Sequence, residues 1–220
     1  MSDQGTTSGL EELPVVIPVF PLTGALLLTT GQLPLNVFEP RYLDMVRDAM
    51  EGPRVIGIIQ PRDPDDPSHE PALYSIGCAG KICEFSELPD GMFQITLEGM
   101  SRFRVIEEIV ERPTIYRQIK ADYKPFSHDR IPSDSGEIDR HSLQDVLRNF
   151  LEFEDEEADW EALNHLADDN LINSLSMICP FSPAEKQALL EAQDVPARSH
   201  LLVSLLSMMM QQGEFSRTIQ

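Results

Sequence analysis

Two hydrophobic periods run through this chain, and the change from one to the other divides it. Up to about residue 124 apolar positions mostly alternate, as in half-buried strands; beyond about residue 137 they recur at three and four, as on one face of a helix. Leu33, Leu35 and Val37 alternate with Pro34, Asn36 and Phe38, which predicts a short strand. From Tyr42 the spacing turns helical. Tyr42, Leu43, Val46, Ala49 and Met50 fall on one face, and Arg41, Asp44, Arg47, Asp48 and Glu51 take the other. Pro40, with no N–H to donate, suits the first turn of this helix, and Glu39 sets a negative charge beside its positive end. Gly52-Pro53 ends it, so the predicted helix spans 40–51, with Phe38, Tyr42 and Leu43 expected in the core.

Around that unit the pattern predicts further strands. Residues 15–22 form the first, and Pro14, Pro18 and Pro21 point to an edge or bent strand because proline cannot donate to a ladder. The apolar run Ala25-Leu26-Leu27-Leu28 suits strand and helix equally. Residues 54–60, rich in β-branched side chains, read as a buried strand, and the Pro-rich, acidic stretch 61–71 as a loop in which His69 is solvated. Residues 72–84 and 92–97 flank Pro89-Asp90-Gly91, a hairpin turn with glycine where a positive φ is wanted. Gly99 is expected to break the return strand with a bend, residues 102–110 to begin another, and residues 115–125 to close the β-rich half.

The second half is helical in pattern. Leu143, Val146, Leu147, Phe150 and Leu151 form an amphipathic stripe, and Leu163, Leu166, Leu171, Ile172 and Leu175 suggest two more pieces, broken near Asp168-Asp169-Asn170 and at Cys179-Pro180. Ser182-Pro183-Ala184-Glu185 is a capping box with proline in the first turn, and Leu201, Leu202, Leu205, Leu206 and Met209 mark a last helix. The expected fold is α+β: a twisted lobe over 13–124 around the single helix 40–51, a linker at 125–136, a helical lobe over 137–212, and tails at 1–12 and 213–220, the first of them disordered.

The order Val19-Phe20-Pro21-Leu22, then Pro34-Leu35-Asn36-Val37-Phe38-Glu39-Pro40-Arg41-Tyr42, closely resembles the opening of the amino-terminal, substrate-binding domain of Lon proteases. Leu97 to Val105, with Gly99 followed three residues later by Arg102, resembles it again, as does the closing order of capped helix, Asp-Val turn, Arg and Leu-rich helix. The likeness spans residues 15–210. It implies a barrel-like, PUA-like first lobe followed by an α-helical bundle. In this reading Phe20, Pro21, Leu35, Phe38, Glu39, Pro40, Arg41, Tyr42 and Gly99 serve mainly structure, and Arg102 forms an internal ion pair.

Composition narrows the function. Hydrophobic content of 41% with 25% charged residues is that of an ordinary soluble globular chain. No apolar run reaches a membrane span of about eighteen residues, and the start lacks the basic-then-apolar order of a signal peptide, so a cytoplasmic address with no membrane partner is expected. Cys78, Cys83 and Cys179 are too few and too irregular for a disulfide framework or a zinc site, and read as reduced, mostly buried thiols. The net charge is −20, with −8 in residues 1–125 and −12 in residues 126–220. Such a field repels phosphate backbones, which disfavours nucleic acid and with it the RNA-binding alternative that a PUA-like lobe suggests.

Lon proteases join the amino-terminal domain to an ATPase and a Ser–Lys protease, and the resemblance covers only the first part, as a stand-alone member. A phosphate loop needs Gly, four residues and Gly-Lys-Ser/Thr; Gly80-Lys81-Ile82 fails at both ends. None of the four lysines sits in a dyad-like setting, and no Gly-x-Ser-x-Gly elbow occurs. No enzyme, cofactor or metal site is therefore expected, and a small hydrolase with an unmotifed site is the alternative. Seven acids crowd residues 152–161 around Phe153 and Trp160; a solvated helix end explains them more simply than a cation or basic-peptide site. Met208, Met209 and Met210 read as core or helix packing. The resemblance implies a non-catalytic module that holds polypeptides, an adaptor or holdase whose partners are unfolded clients and a Lon-type protease. Strand edges and a shallow apolar groove would do the holding, with the negative field preferring basic clients. The hairpin tip Leu88, Met92 and Phe93 is the expected contact surface, because a turn is exposed and these side chains are large and apolar.

Overall fold

The computed structural model describes residues 13–218 except 69, 112, 132–137 and 156–157. The expected tail at 1–12, the solvated His69, most of the expected linker and two of the clustered acids lie outside the described residues. Among the described residues there are six strands: β1 Val16–Pro21, β2 Gln32–Val37, β3 Val55–Ile59, β4 Ile76–Glu87, β5 Phe93–Glu108 and β6 Gln118–Asp122. One helix, α1 Pro40–Glu51, lies between β2 and β3 in the chain. A 3₁₀ segment, Lys124–Arg130, leads to five helices: α2 Arg140–Glu154, α3 Trp160–His165, α4 Asp168–Ile178, α5 Pro183–Glu191 and α6 Val195–Thr218. The last helix thus continues through residues expected to be tail.

The sheet order is β2-β5-β4-β3-β1-β6, and β6 also pairs with β5, so the ladders of β5, β4, β3, β1 and β6 close into a ring. β1 lies between β3 and β6, which corrects the edge alternative in the reading of its prolines. Val19 donates to the Arg117 carbonyl and Leu22 to that of Ile59, so odd positions of β1 face β6 and even ones face β3. Pairing with β6 ends at Pro18↔Gln118 and pairing with β3 begins at Val19↔Gly57. Pro18 therefore turns its missing donor toward β3 before that ladder starts, and Pro21 toward β6 after that ladder has ended. Neither proline removes a ladder hydrogen bond.

β2 is the terminal strand of the order. Gly99 donates to the Gly31 carbonyl, so odd positions of β2 face β5 and Pro34 turns its nitrogen outward. Proline there removes a free donor from the edge and blunts it against strand addition. β5 is one strand of 16 residues, not two. Its ladder shifts register where Met100 bulges opposite Ala79 and Gly80. Gly99, beside that bulge, is needed for close approach: a Cβ there would overlap the Leu28 carbonyl oxygen.

That carbonyl belongs to residues 25–28, the run that suited strand and helix alike. It is neither. Leu26, Leu27 and Leu28 form a loop whose side chains are buried. One cluster of buried side chains runs from Phe20, Tyr42, Met45 and Ile56 through this loop to Leu143, Ile172, Leu189 and Leu202 of the helices. Met45 joins the buried face of α1, where Leu43 and Met50 are only partly covered. Phe38, expected in the core, is 64% exposed, because the alternation in β2 that turns Val37 inward turns Phe38 out.

Cys78 and Cys179 are buried and Cys83 is exposed. Burial pushes the Cys78 thiol up to about 12, with the nearby Asp129 carboxylate adding to it, and pushes Cys179 up to about 11. Only the thiolate reacts. In the folded protein at mildly alkaline pH a thiol reagent should therefore label Cys83 alone, and all three cysteines after unfolding; two or more fast-reacting thiols in the native state would contradict this burial. Gly99→Ala should lower stability in urea by about 1–3 kcal/mol or more through its clash with the Leu28 backbone. Gly52→Ala, whose Cβ meets only ordinary contacts, should change it little.

Candidate functional site

The most heavily bonded side chain is Arg102, on β5. Its guanidinium meets both oxygens of Asp129, with Nε to Oδ2 at 2.9 Å and an Nη to Oδ1 at 2.7 Å, and its backbone N–H donates to the same carboxylate at 2.9 Å. The remaining N–H groups reach the carbonyls of Leu190, Ala192 and Gln193, and His128 Nε2 lies 3.1 Å away. The guanidinium also stacks over the Phe126 ring, 4.7 Å from its centroid. Arg102 is the internal ion pair read from the sequence. Its partner sits in the stretch read as linker: the 3₁₀ segment folds back onto β5, burying Phe126 and the Asp129 carboxylate.

A second buried arginine stands beside it. Arg198 on α6 donates to the Leu189 carbonyl at 2.9 Å and to Asn173 Oδ1 at 2.8 Å, and Asn173 in turn donates to the Thr29 carbonyl. Burial first, and repulsion from Arg102 second, pull its pKa down to about 10, so it stays charged at neutral pH. Leu189, Leu190 and Ala192 end α5, where a helix leaves carbonyls without partners and carries a partial negative charge. Two guanidiniums thus cap one helix end. A third polar joint completes the seam: Gln60 donates to the Pro183 carbonyl and Gln187 Oε1, accepts from the Gly24 N–H, and Gln187 donates to the Ile76 carbonyl. Beside the two arginines opens a cavity of about 370 Å3 that also takes in Asp129, Asp169 and Asp194. The sequence reading missed Asp129, Asn173, Gln60 and Gln187, and used Arg198 only as the arginine of the closing order that resembles the family. Arg198 also continues the stripe Leu201, Leu202, Leu205 one turn back.

The other motif residues have plain positions. Phe20 and Tyr42 pack ring to ring at 4.1 Å, and the Arg41 guanidinium lies 4.6 Å over the Tyr42 ring. The Glu39 carboxylate pairs with Arg41 at 3.0 Å rather than bonding the first turn of α1, whose N–H groups from Tyr42 and Leu43 go to the Glu39 carbonyl instead. Pro21 ends β1, Leu35 is half-buried in β2, and Pro40 opens α1.

At the hairpin, Gly91 has φ +79° and donates to the Leu88 carbonyl, while Leu88 donates to that of Met92. Of the three expected contact residues, Leu88 and Met92 are half-buried and Phe93 is only 2% exposed. Phe93 faces inward with Ile95 and Leu97, covered by the Phe85 ring at 5.1 Å and the Arg47 guanidinium at 5.1 Å. Phe93 is therefore not an exposed contact residue. Phe38 is exposed. It follows the pair Val37↔Phe93, which brings it level with Met92, itself opposite Leu88. Phe38, Met92 and Leu88 therefore lie level in a row at the ends of three strands, Phe38 exposed and the other two half-buried.

Between α2, α3 and α4 lies a second concavity of about 640 Å3 with an apolar lining. No group of three or more His, Cys, Asp or Glu side chains among the described residues is arranged to hold a metal ion, and no described helix is long and apolar enough to cross a membrane.

A family model of the ATP-dependent protease La (Lon) substrate-binding domain matches residues 16–208. Similar curated proteins include a Lon protease 2 of Myxococcus xanthus, 28% identical over 207 residues that make up 90% of this chain and 24% of that protein. A Lon protease of Flavobacterium johnsoniae is 25% identical over 217 residues, 96% of this chain and 26% of that protein. The chain spans about a quarter of the length of these relatives. Among solved structures, a Lon N-terminal domain protein from Xanthomonas campestris aligns with TM-score 0.56 and 25% identity, over 86% of this chain and 97% of that one. The N-terminal domain of a Mycobacterium avium complex Lon protease shares the fold at TM-score 0.63 and 18% identity, over 87% and 98%.

Removing one member of a buried ion pair strands the other. Arg102→Met should cost about 3–5 kcal/mol in urea unfolding, and the double change Arg102→Met with Asp129→Leu should recover part of that loss. A cost below about 1 kcal/mol for the single change would mean that the pair does not organise the seam.

Proposed function

This chain belongs to the Lon substrate-binding domain family, and from that membership we propose that it is a non-catalytic polypeptide-binding module, an adaptor or holdase for unfolded clients. In this reading the clients are polypeptides, a Lon-type protease is a further partner, and the protein works in the cytoplasm. The first lobe is barrel-like and the second a helical bundle; the closed ring of ladders supports the one, and the five helices gathered on one apolar cluster support the other.

The observation that carries the proposal is the row Phe38, Met92 and Leu88, with Phe38 exposed and the other two half-buried. A phenylalanine 64% exposed beside two further apolar side chains is the kind of feature that marks an interaction surface, whereas single exposed apolar residues do not. Contact is by side chain rather than by added strand, since Pro34 interrupts the outward donors of the edge strand. The net charge of −20 supports a preference for basic or weakly charged clients and disfavours nucleic acid.

A labelled, permanently unfolded protein, followed by fluorescence anisotropy, should bind saturably without being cut, and more weakly as salt rises. The double change Phe38→Ser with Met92→Ser should weaken binding about tenfold with little change in stability. Phe93→Ala should instead cost about 3–5 kcal/mol of stability, as an emptied core site does. Unfolded-protein binding that survives the Phe38 and Met92 changes would remove the row as the contact surface; no binding by the native chain would remove the function.

A further inference from the structure

Where the 3₁₀ segment, the start of α4 and the start of α6 meet, the cavity of about 370 Å3 is lined by two arginines of unequal standing. A guanidinium carries five N–H groups and accepts nothing. Arg102 spends all five, on both oxygens of Asp129 and on the carbonyls of Leu190, Ala192 and Gln193. Arg198, although only 2% exposed, spends two, one from Nε to the Leu189 carbonyl and one from Nη1 to Asn173 Oδ1. Its other three have no acceptor among the described residues, and no described carboxylate is bonded to it. A buried donor left unpaired is costly, and more so when it is charged.

The rest of the lining decides what can complete it. Asp129 is neutralised by Arg102. Asp169, in the first turn of α4, accepts from the Asn170 N–H through Oδ1, and Asp194 caps α6 by accepting from the Ala197 N–H through Oδ1. The second oxygen of each has no donor among the described residues, and both side chains are half-buried. The cavity thus holds spare donors on one cation and spare acceptors on two carboxylates. A plain anion there meets Arg198 but is repelled by Asp169 and Asp194; a plain cation meets the carboxylates but is repelled by Arg198. An occupant with one charge of each sign satisfies both sides. Val195, Pro196 and Ile131 add apolar surface for a short carbon chain, and Ile131, 65% exposed, stands on the open side. The volume is at the small end of the range of about 300–1,000 Å3 for small-molecule sites.

We propose that this cavity binds a small zwitterion, a molecule whose carboxylate and ammonium are joined by a short carbon chain, as in a free amino acid. The carboxylate accepts from the spare N–H groups of Arg198, and the ammonium donates to the spare oxygens of Asp169 and Asp194. Both contacts are charge-assisted and stronger than those of the water that otherwise fills a polar cavity of this size. Because the three side chains stand on α4 and α6, the ligand ties the two helices together at the seam and stabilises the folded chain. The cavity shares no residue with the row of Phe38, Met92 and Leu88, so this inference stands apart from the polypeptide-binding reading, and the failure of either leaves the other in place.

The test uses the whole chain, isothermal titration calorimetry and the melting temperature. The probes are glycine, β-alanine, γ-aminobutyrate and ε-aminocaproate, which vary the separation of the two charges, beside the carboxylates and the amines of matching chain length. At least one zwitterion should bind saturably, raise Tm as its concentration rises, and bind about tenfold or more tightly than its carboxylate-only and amine-only counterparts. Asp169→Asn with Asp194→Asn should weaken that binding about tenfold or more. Asparagine caps a helix as well as aspartate does, so the Tm of the unliganded variant should stay near that of the parent. Hydrogen exchange on the unsubstituted protein supports the site if protection by the zwitterion centres on the starts of α4 and α6, and overturns it if protection lies elsewhere. A carboxylate that binds as tightly as the zwitterion would make this a plain anion site, and an amine that does so a plain cation site; either overturns the proposal. So does binding untouched by the two asparagine changes, or the failure of every probe to bind in the millimolar range, which would leave water as the occupant.

Discussion

The ion pair of Arg102 and Asp129 is the contact on which the rest of the arrangement depends. Burying two opposite charges adds little net stability, because desolvation cancels most of their attraction. Its effect is geometric. A guanidinium that is out of water must satisfy every N–H, and here those groups go to three places: the carboxylate in the 3₁₀ segment, the carboxyl-terminal end of α5, and the turn into α6. Any shift of the helices on the sheet would leave a buried donor or carbonyl unpaired, at a cost of about 1–3 kcal/mol each. Arg198 reinforces this from the other side. Its charge has no bonded carboxylate and is balanced by the Leu189 carbonyl, the Asn173 amide oxygen and the negative end of α5.

The loop of residues 25–28 is the apolar counterpart of that polar seam. It lies against β5 so closely that Gly99 must lack a side chain, and the chain just beyond it meets α4 so closely that a Cβ on Gly31 would overlap the Met177 sulfur. Leu26, Leu27 and Leu28 consequently sit between strand residues on one side and helix residues on the other. The change of hydrophobic period near residue 125 is therefore a change of secondary structure and not a gap in the core, since one cluster of buried side chains crosses it.

How far the sequence carries depends on whether a feature is local. The strand-to-helix unit around Glu39-Pro40, the capping box at Ser182 and the glycine of the hairpin are set by backbone chemistry within a few residues, and each is in place. The seam is not local. Asp129 is 27 residues from Arg102, and Gln60 is 127 from Gln187, so neither partner could be found by spacing. Phe38 and Phe93 escape the sequence reading for a different reason. A turn suggests exposure for Phe93, and the size of a motif phenylalanine suggests burial for Phe38, whereas strand alternation decides both. Val37 and Phe93 are paired and buried, while the next residues, Phe38 and Met92, are exposed and half-buried. That alternation is legible in Leu33, Leu35 and Val37. Residues 25–28 have no periodicity to read, because a buried loop owes its burial to what surrounds it.

The same division bears on what the surface can recognise. Arg102, Arg198, Gln60, Gln187 and Asn173 are polar side chains held in fixed geometry, and they commit hydrogen bonds to joining the helices to one another and to the sheet lobe. Outside that seam, exposed apolar side chains such as Phe38 stand on a chain of net charge −20. Hydrogen-bond readout of a defined sequence needs fixed donors and acceptors facing outward. Apolar capture under a negative field needs only side chains of the right class and a charge of the right sign. A surface of that kind discriminates by exposed apolar content and by charge, and exposed apolar content is what most separates an unfolded chain from a folded one.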